Sequence, residues 1–184
     1  TFIRQSEENY EDAHLNDNGM ILVKQSGKWA ILDQNLKNVT DFVFTDVAVN
    51  SKNQVFSGNY AVVADENGYF LIDQKGKACF EKRFPNAKGM EGGYYAVADE
   101  SGQWGFADEK GELVVPCQYV DAYSFSNQTA AVQYAGKWGY INHYGNMVID
   151  AQFSTALPFL NGKAMVQDDQ ENIKVLELRY FDTF

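Results

Sequence analysis

The chain has 184 residues, of which 45% are hydrophobic and 15% aromatic, so it can bury a core and is not a disordered polymer. Its formal net charge of −10 argues against binding to nucleic acids or to anionic membranes, because both need basic protein surfaces. No run of 18 apolar residues occurs, so no transmembrane segment is predicted.

An internal repeat organises the chain from end to end. Trp104 and Trp138 are 34 residues apart, and Tyr69 lies 35 residues before Trp104. We call these three residues, together with Trp29 in the first copy, the repeat markers. Four residues after each marker comes an acid or an amide, namely Asp33, Asp73, Asp108 and Asn142. Seven residues after them come Gly76, Gly111 and Gly145, with Leu36 in the first copy. This self-similarity predicts tandem units of about 35 residues.

Each unit is predicted to contain three short antiparallel strands. In the clearest copy these are 130–134, 138–141 and 147–153, joined by tight turns at 136–137 and 142–145. An Asp-x-x-Gly connection favours a hairpin built on a type I turn, with glycine supplying a positive φ. No segment has a 3.6-residue apolar period, so the fold class is all-β.

In chain order the units cover about 10–43, 44–83, 84–118 and 119–152 of a single repeat domain, 1–184. A fifth unit is split, with its first part in 153–184 and its remaining strand in 1–9. Pairing of the two chain ends would close a five-bladed ring of the β-propeller type, which removes open sheet edges. The alternative is an open, twisted array of β repeats.

The residues around the markers resemble the bacterial WG repeat, also called the KWG repeat. The segment Gly136-Lys137-Trp138-Gly139-Tyr140-Ile141-Asn142, followed by Gly145, is close to the signature of that family, and 102–108 with Gly111 is nearly as close. Ala30 replaces the glycine of the first copy, and Tyr69-Phe70 replace both signature residues of the second. The resemblance implies a bacterial protein with a binding or scaffolding role.

Two residue sets admit a structural and a functional interpretation. The first set is Asp33, Asp73, Asp108 and Glu177, with Asn142. These residues either cap their own turns or surround an opening in a ring and bind a hard cation; we favour caps and predict no metal. The markers Trp29, Tyr69, Trp104 and Trp138 either pack between units or present stacking surfaces for sugars. We favour packing, because a small residue follows most of them.

The sequence lacks the residues that catalysis or cofactor binding would require. Its two histidines and two cysteines, Cys79 and Cys117, have no zinc-ligand spacing, and no nucleophile or phosphate-binding motif is present. His143 is predicted to be a solvated turn residue. The cysteines are predicted to be buried free thiols, or one disulfide between units if the protein is exported. We therefore predict no enzyme activity and no cofactor.

The predicted function is binding to another protein through loops. The one clear insertion in the repeat lies near residues 50–56, and we predict that Lys52, Asn53, Gln54 and Phe56 contact the partner. The alternative is a cell-surface carbohydrate-binding module that uses Tyr94, Tyr95 and Tyr123 as exposed aromatics. An exported location, periplasmic or at the cell surface, is favoured over the cytoplasm.

Overall fold

The computed structural model describes residues 8–178, which form 18 strands in five antiparallel sheets. No helix occurs among these residues, as the sequence predicted. In particular, the described part of the chain contains no helix long and apolar enough to cross a membrane.

The strands follow the chain from sheet to sheet. The first two sheets contain β1 (Asp12–Leu15), β2 (Ile21–Gln25) and β3 (Lys28–Leu32), then β4 (Asp46–Ala48), β5 (Phe56–Ser57), β6 (Tyr60–Asp65) and β7 (Gly68–Asp73). The third and fourth contain β8 (Asn86–Ala87), β9 (Tyr94–Ala98), β10 (Trp104–Asp108) and β11 (Leu113–Tyr119), then β12 (Asp121–Ala122), β13 (Ala130–Tyr134), β14 (Lys137–Ile141) and β15 (Met147–Phe153). The fifth contains β16 (Thr155–Ala156), β17 (Lys163–Gln167) and β18 (Ile173–Glu177).

A short innermost strand corrects the prediction of three strands per unit. In the third and fourth sheets a two-residue strand, β8 or β12, pairs with the first long strand, so that these sheets have four strands. The strand ends on a buried alanine, Ala87 or Ala122. Two residues are too few to show an alternating pattern, which is why the sequence did not distinguish this strand from a loop.

The core lies between successive sheets. We call the side of a sheet that packs on the following sheet its front face, and the opposite side its back face. The front faces contribute Leu22, Trp29 and Ile31; Val62 and Leu71; Ala96 and Phe106; and Ala131, Trp138 and Tyr140. The back faces that cover them contribute Ala61, Val63 and Ile72; Tyr95, Val97 and Ala107; Ala130, Val132 and Ile141; and Ala164 and Val166. Because each sheet has two apolar faces, an inner strand is buried on both sides.

The glycine after the tryptophan decides how closely the outer strand approaches. A Cβ on Gly139 would lie 2.6 Å from the Ile149 carbonyl oxygen, and one on Gly105 would lie 2.5 Å from the Val115 oxygen. In these two sheets the outer strands β15 and β11 are each seven residues long. A side chain at this position would occupy the space that the main chain of the outer strand needs in order to pair with its neighbour.

The two sheets that lack this glycine have irregular outer segments. Ala30 and Phe70 occupy the position in the first and second sheets, and both side chains are buried. The outer segments then make only isolated bridges, which are Trp29–Phe44, Leu32–Asn38, Tyr69–Phe84 and Ile72–Ala78. The continuous outer strands thus occur in the two sheets that have glycine at this position, and the irregular outer segments occur in the two that do not.

Arg83 stabilises the irregular segment of the second sheet. Its Nη1 donates hydrogen bonds to the carbonyl oxygens of Phe80 and Glu81, at 3.4 and 3.0 Å. Its guanidinium lies 3.5 Å from the centre of the Phe70 ring, and its Nε donates to Asp65 at 3.1 Å. Arg83 thus donates hydrogen bonds to main-chain carbonyl groups of this segment, in place of the hydrogen bonds that a continuous outer strand makes with its neighbouring strand.

The described residues do not make the contact that would close a ring. Within the array, the start of each new unit pairs with the marker strand of the unit before it. One example is the Phe84 amide, which donates a hydrogen bond to the Tyr69 carbonyl oxygen at 2.9 Å. Tyr10 and Ile173 hold the corresponding repeat positions, and no backbone hydrogen bond joins them. The N-terminal strand that was predicted to complete the fifth unit lies in residues 1–9, most of which are outside the described residues, so closure stays a prediction.

Candidate functional site

A cavity of about 790 Å³ lies where the innermost segments of four sheets converge. Its wall is largely apolar and includes the exposed side chains of Val49, Leu157, Leu160 and Met165. Asp46, Lys88 and Lys163 are the charged side chains of the wall. Concave sites with apolar walls and a few polar groups are typical binding sites.

Lys88 joins the third and fourth sheets at the edge of this cavity. Its Nζ lies 2.8 Å from Asp121 Oδ1 and also donates a hydrogen bond to the Ala122 carbonyl oxygen. The same ammonium lies 4.6 Å from the centre of the Trp104 ring and 4.9 Å from that of Tyr123. With an acid, a carbonyl and two rings around it, Lys88 is held in place as part of the wall.

Tyr69 supplies a fixed hydroxyl on the opposite wall. Its phenol donates a hydrogen bond to Asp46 Oδ2. Burial, together with this acid, raises the pKa of Tyr69 to about 12. The phenol is therefore protonated at neutral pH and acts as a hydrogen-bond donor rather than as a base.

The insertion loop stands on the cavity rim, with Asn50 and Ser51 in the wall. Asn50 Oδ1 accepts hydrogen bonds from the amides of Lys52 and Gln54 at 2.9 and 3.1 Å. Ser51 Oγ donates to Glu91 Oε2 at 2.5 Å. These bonds fix the loop and leave the side chains of Lys52 and Asn53 exposed to solvent.

The structure contradicts the predicted role of Phe56. This side chain is buried in the core between the first and second sheets. The buried Asn16 accepts hydrogen bonds from the amides of Val55 and Phe56, both at 2.8 Å, and draws the loop end inward. Phe56 therefore stabilises the fold and is not available to a partner.

The three predicted carbohydrate-binding tyrosines do not form one surface. Tyr95 is 0% exposed, so the prediction of an exposed ring is wrong there; its strand β9 is covered on both sides by neighbouring sheets. Tyr94 is half-buried against Phe125, with ring centres 5.6 Å apart. Tyr123 lines the cavity and lies 5.4 Å from Trp138.

The repeat markers lie in the packing between sheets. Trp29 and Trp138 are buried, and Trp104 and Tyr69 are half-buried against the cores that their own sheets share with the next. The glycines seven residues later have φ near +75° to +78°. A Cβ at these positions would also contact the preceding sheet; for example, a Cβ added to Gly111 would lie 2.7 Å from the Phe80 ring.

The acids of the repeat hold their turns. Asp108 Oδ1 accepts hydrogen bonds from the amides of Lys110 and Glu112 at 2.9 and 3.0 Å. Asp33 and Asp73 make the same pair of bonds in their own turns. Within residues 8–178, no group of three or more His, Cys, Asp or Glu side chains is arranged to hold a metal ion.

Two further predictions about reactive side chains are wrong about burial only. His143 is half-buried, with its ring centre 4.8 Å from Tyr94 and 4.6 Å from Phe125, and burial lowers the pKa of its imidazole. The turn that contains His143 packs against the third sheet, and the sequence pattern does not predict this contact. Both cysteines are free thiols, as predicted, but neither is buried. Cys117 is half-buried, and Cys79 is exposed because it lies in the irregular outer segment of the second sheet.

The fold is similar to that of known β-propellers. Hsv2p of Kluyveromyces lactis matches with a TM-score of 0.60 and 14% identity, over 96% of this chain and 64% of that one. BamB from Moraxella catarrhalis matches with a TM-score of 0.53 and 14% identity, over 94% of this chain and 58% of that one. The chain thus spans less than two thirds of each of these proteins. It is an all-β, propeller-like repeat protein.

Three regions match the family model described as the WG containing repeat, at residues 9–29, 104–138 and 138–171. These matches confirm the resemblance of the sequence motifs: the three regions are WG-containing repeats. A comparison with curated proteins finds no match.

Proposed function

We propose that this chain is a non-catalytic module that binds an extended peptide segment of another protein in the central cavity. The observation that carries the proposal is the cavity wall, in which Val49, Leu157, Leu160 and Met165 expose apolar surface inside a concave site of about 790 Å³. An apolar side chain of a partner would be desolvated there, which is how anchor residues contribute most of the affinity at protein interfaces.

The exposed insertion loop would add specificity at the rim. Lys52 and Asn53 project from a backbone that is held by Asn50 and Ser51. A rigid loop loses little conformational entropy on binding, so its contacts cost less to form. The exposed lysine favours an acidic residue next to the apolar anchor of the peptide.

A glycan fits this site less well than a peptide. Sugar rings stack on exposed aromatic faces and need many hydrogen-bond partners, whereas Tyr95 is buried and Tyr94 is half-buried against its neighbours. Tyr123 is the ring of this set that reaches the cavity, and the cation of Lys88 already lies over it.

The side chains of the cavity support binding rather than catalysis. Lys88 is held by an ion pair with Asp121, and the Tyr69 phenol stays protonated well above neutral pH. A general base or nucleophile needs a free lone pair near the working pH. The proposed module therefore holds its partner without changing it.

The test is a selection of peptides from a displayed random library on the immobilised chain, with affinities then measured by calorimetry. Leu160→Asp, in the cavity wall, should weaken binding by about 5- to 30-fold, because it removes an apolar contact worth roughly 1–2 kcal/mol. Val148→Asp is the matched control: Val148 is similarly exposed, 49% against 56%, but does not line the cavity.

Three results would count against the proposal. Selection of no consensus peptide would do so, as would equal weakening by both substitutions. Specific binding on a glycan array, lost with Tyr123→Ala and unaffected by Leu160→Asp, would replace the peptide with a carbohydrate.

A further inference from the structure

A second crevice, of about 420 Å³, adjoins the central cavity. It lies between the loops that follow β1, β4 and β8, and Asn50 belongs to the walls of both sites. We call it the rim crevice; the charged side chains of its wall are Asp17, Lys52 and Glu91. Two carboxylates and one ammonium leave it with a net negative charge, in a chain whose net charge is −10.

Hydrogen bonds between neighbouring loops fix the shape of the rim crevice. On one side, Asn18 Nδ2 donates to the Gly58 carbonyl oxygen at 3.0 Å, which ties the loop of the first sheet to that of the second. On the other side, Ser51 Oγ donates to Glu91 Oε2 at 2.5 Å, which ties the loop of the second sheet to that of the third. The walls are thus held in place before a ligand arrives, so little conformational entropy is lost on binding.

The two carboxylates of the rim crevice keep open acceptor positions. In the part of the chain that the structure describes, no side chain or amide bonds to the Asp17 carboxylate, and Ser51 occupies one of the two Glu91 oxygens. Lys52 forms no ion pair with either acid there, and its long exposed side chain is free to turn into solvent. Because a carboxylate accepts up to about four hydrogen bonds, this wall favours a cation that carries several donors.

We propose that the rim crevice binds an arginine side chain of the same peptide whose apolar residue occupies the central cavity. The inference rests on the function proposed above, because one extended segment that crosses Asn50 reaches both sites. A guanidinium presents its N–H donors in a planar fork, which contacts two carboxylates at once. The side-chain oxygens of Gln54 and Ser57 line the same crevice, are not hydrogen-bonded within residues 8–178, and accept from its remaining N–H groups.

Electrostatics decide between a basic and an acidic occupant of the rim crevice. An acidic side chain would approach two carboxylates and a chain of net charge −10, whereas a basic side chain meets opposite charge both locally and at a distance. The contact is partly exposed to solvent. Removal of one carboxylate should therefore weaken binding by about two- to fivefold, and added salt should weaken it further.

The test is a titration of the full chain, followed by heteronuclear NMR, with N-acetyl-arginine amide and with its neutral isostere, N-acetyl-citrulline amide. The arginine probe should shift the signals of the Gln54 side-chain amide and the Gly92 main-chain amide in a saturable way, and the citrulline probe should not. Asp17→Asn and Glu91→Gln should each weaken this binding by about two- to fivefold. Both substitutions keep the size of the side chain, and the Glu91→Gln variant still accepts the Ser51 hydrogen bond.

Asp150→Asn is the matched control, because Asp150 is an exposed carboxylate on β15 that lines neither site. It should leave binding of the arginine probe unchanged. Leu160→Asp should also leave it unchanged while it weakens binding of the peptide, because Leu160 lines the central cavity and not the rim crevice. The two proposals are thereby tested separately.

Equal shifts with the two probes overturn the inference, as does arginine binding that survives in the Asp17→Asn/Glu91→Gln double variant. A selected consensus peptide that has an apolar residue but no basic residue also overturns it, and leaves the proposed function standing. Selection of no peptide, with the arginine probe still bound in the rim crevice, overturns the proposed function and the statement that one peptide joins the two sites.

Discussion

Replacing Gly139 by alanine tests the role of the glycine in the Trp-Gly motif. The added Cβ would lie 2.6 Å from the Ile149 carbonyl oxygen, 2.7 Å from the Ala151 nitrogen and 2.9 Å from the Ala151 Cα. All three are backbone atoms of β15, so no side chain can turn aside to make room. The outer strand must move away, and its hydrogen bonds to β14 must lengthen or break.

The expected loss in the free energy of unfolding is about 1–3 kcal/mol, the usual cost of an added methyl group in a packed site. For a chain of this size each kcal/mol lowers the melting temperature by about 2–4 °C, so a fall of about 2–12 °C is expected. The first sheet is a natural example of this substitution, because Ala30 occupies the equivalent position and the outer segment is joined to β3 by isolated bridges rather than by a continuous strand.

Urea denaturation gives the magnitude, and amide hydrogen exchange locates the damage. Gly136→Ala is the matched control: Gly136 has φ +80° and nothing within 4 Å of an added Cβ. It should cost about 1–2 kcal/mol through backbone strain alone and leave the amides of β15 protected. If Gly139→Ala is as stable as the parent and β15 stays protected, the close approach does not explain the glycine.

Three further predictions concern the last hairpin and the insertion loop. Asp168 accepts a hydrogen bond from Lys174 and further hydrogen bonds from the amides of the turn that Asp168 begins, and these hold the pKa of its carboxyl at about 2, below the usual 3.8. The stabilising contribution of the Asp168 carboxylate is therefore complete above about pH 4 and is lost as the pH falls towards 2. Asp168→Asn should remove this pH dependence, measured by urea denaturation across that range. Phe56→Ala should cost about 3–5 kcal/mol of folding free energy because it leaves a cavity. Lys52→Ala should change it by no more than about 0.5 kcal/mol.

Each of these predictions has a result that would contradict it. An Asp168 carboxyl that titrates near its ordinary pKa by carbon NMR would show that the turn bonds do not persist in solution. A Phe56→Ala variant that keeps its stability but loses a partner would restore Phe56 to the binding surface. A Lys52→Ala variant that loses clearly more than about 0.5 kcal/mol of folding free energy would show that this side chain stabilises the fold rather than facing a partner.

The sequence was sufficient to predict the repeat, the all-β fold class and the resemblance to the WG repeat. These features depend on local chemistry, which recurs in every unit. Asp108 accepts hydrogen bonds from amides two and four residues later, and a turn of this kind needs no distant partner. The tryptophans were likewise assigned to packing, and Trp29 and Trp138 are buried between sheets.

Burial of single aromatic residues depended on the neighbouring sheets. Tyr95 and Phe56 look like exposed loop or edge aromatics in the sequence, yet both lie in cores formed by residues from the adjacent sheet. His143 similarly packs on Tyr94 and Phe125 of a different strand and loop. A hydrophobic pattern shows which side chains share a face, but not whether another sheet covers that face.

The candidate site was decided by the tertiary structure alone. The sequence by itself determined five similar β units and the turns within them, because the hydrogen bonds that hold a hairpin join residues close in the chain. The cavity combines Asp46, Lys88, Tyr123 and Leu160 from four different sheets, and the rim crevice beside it lies between the loops of three sheets. Both depend on how the sheets stack, and stacking is set by contacts between residues about 35 positions apart or more.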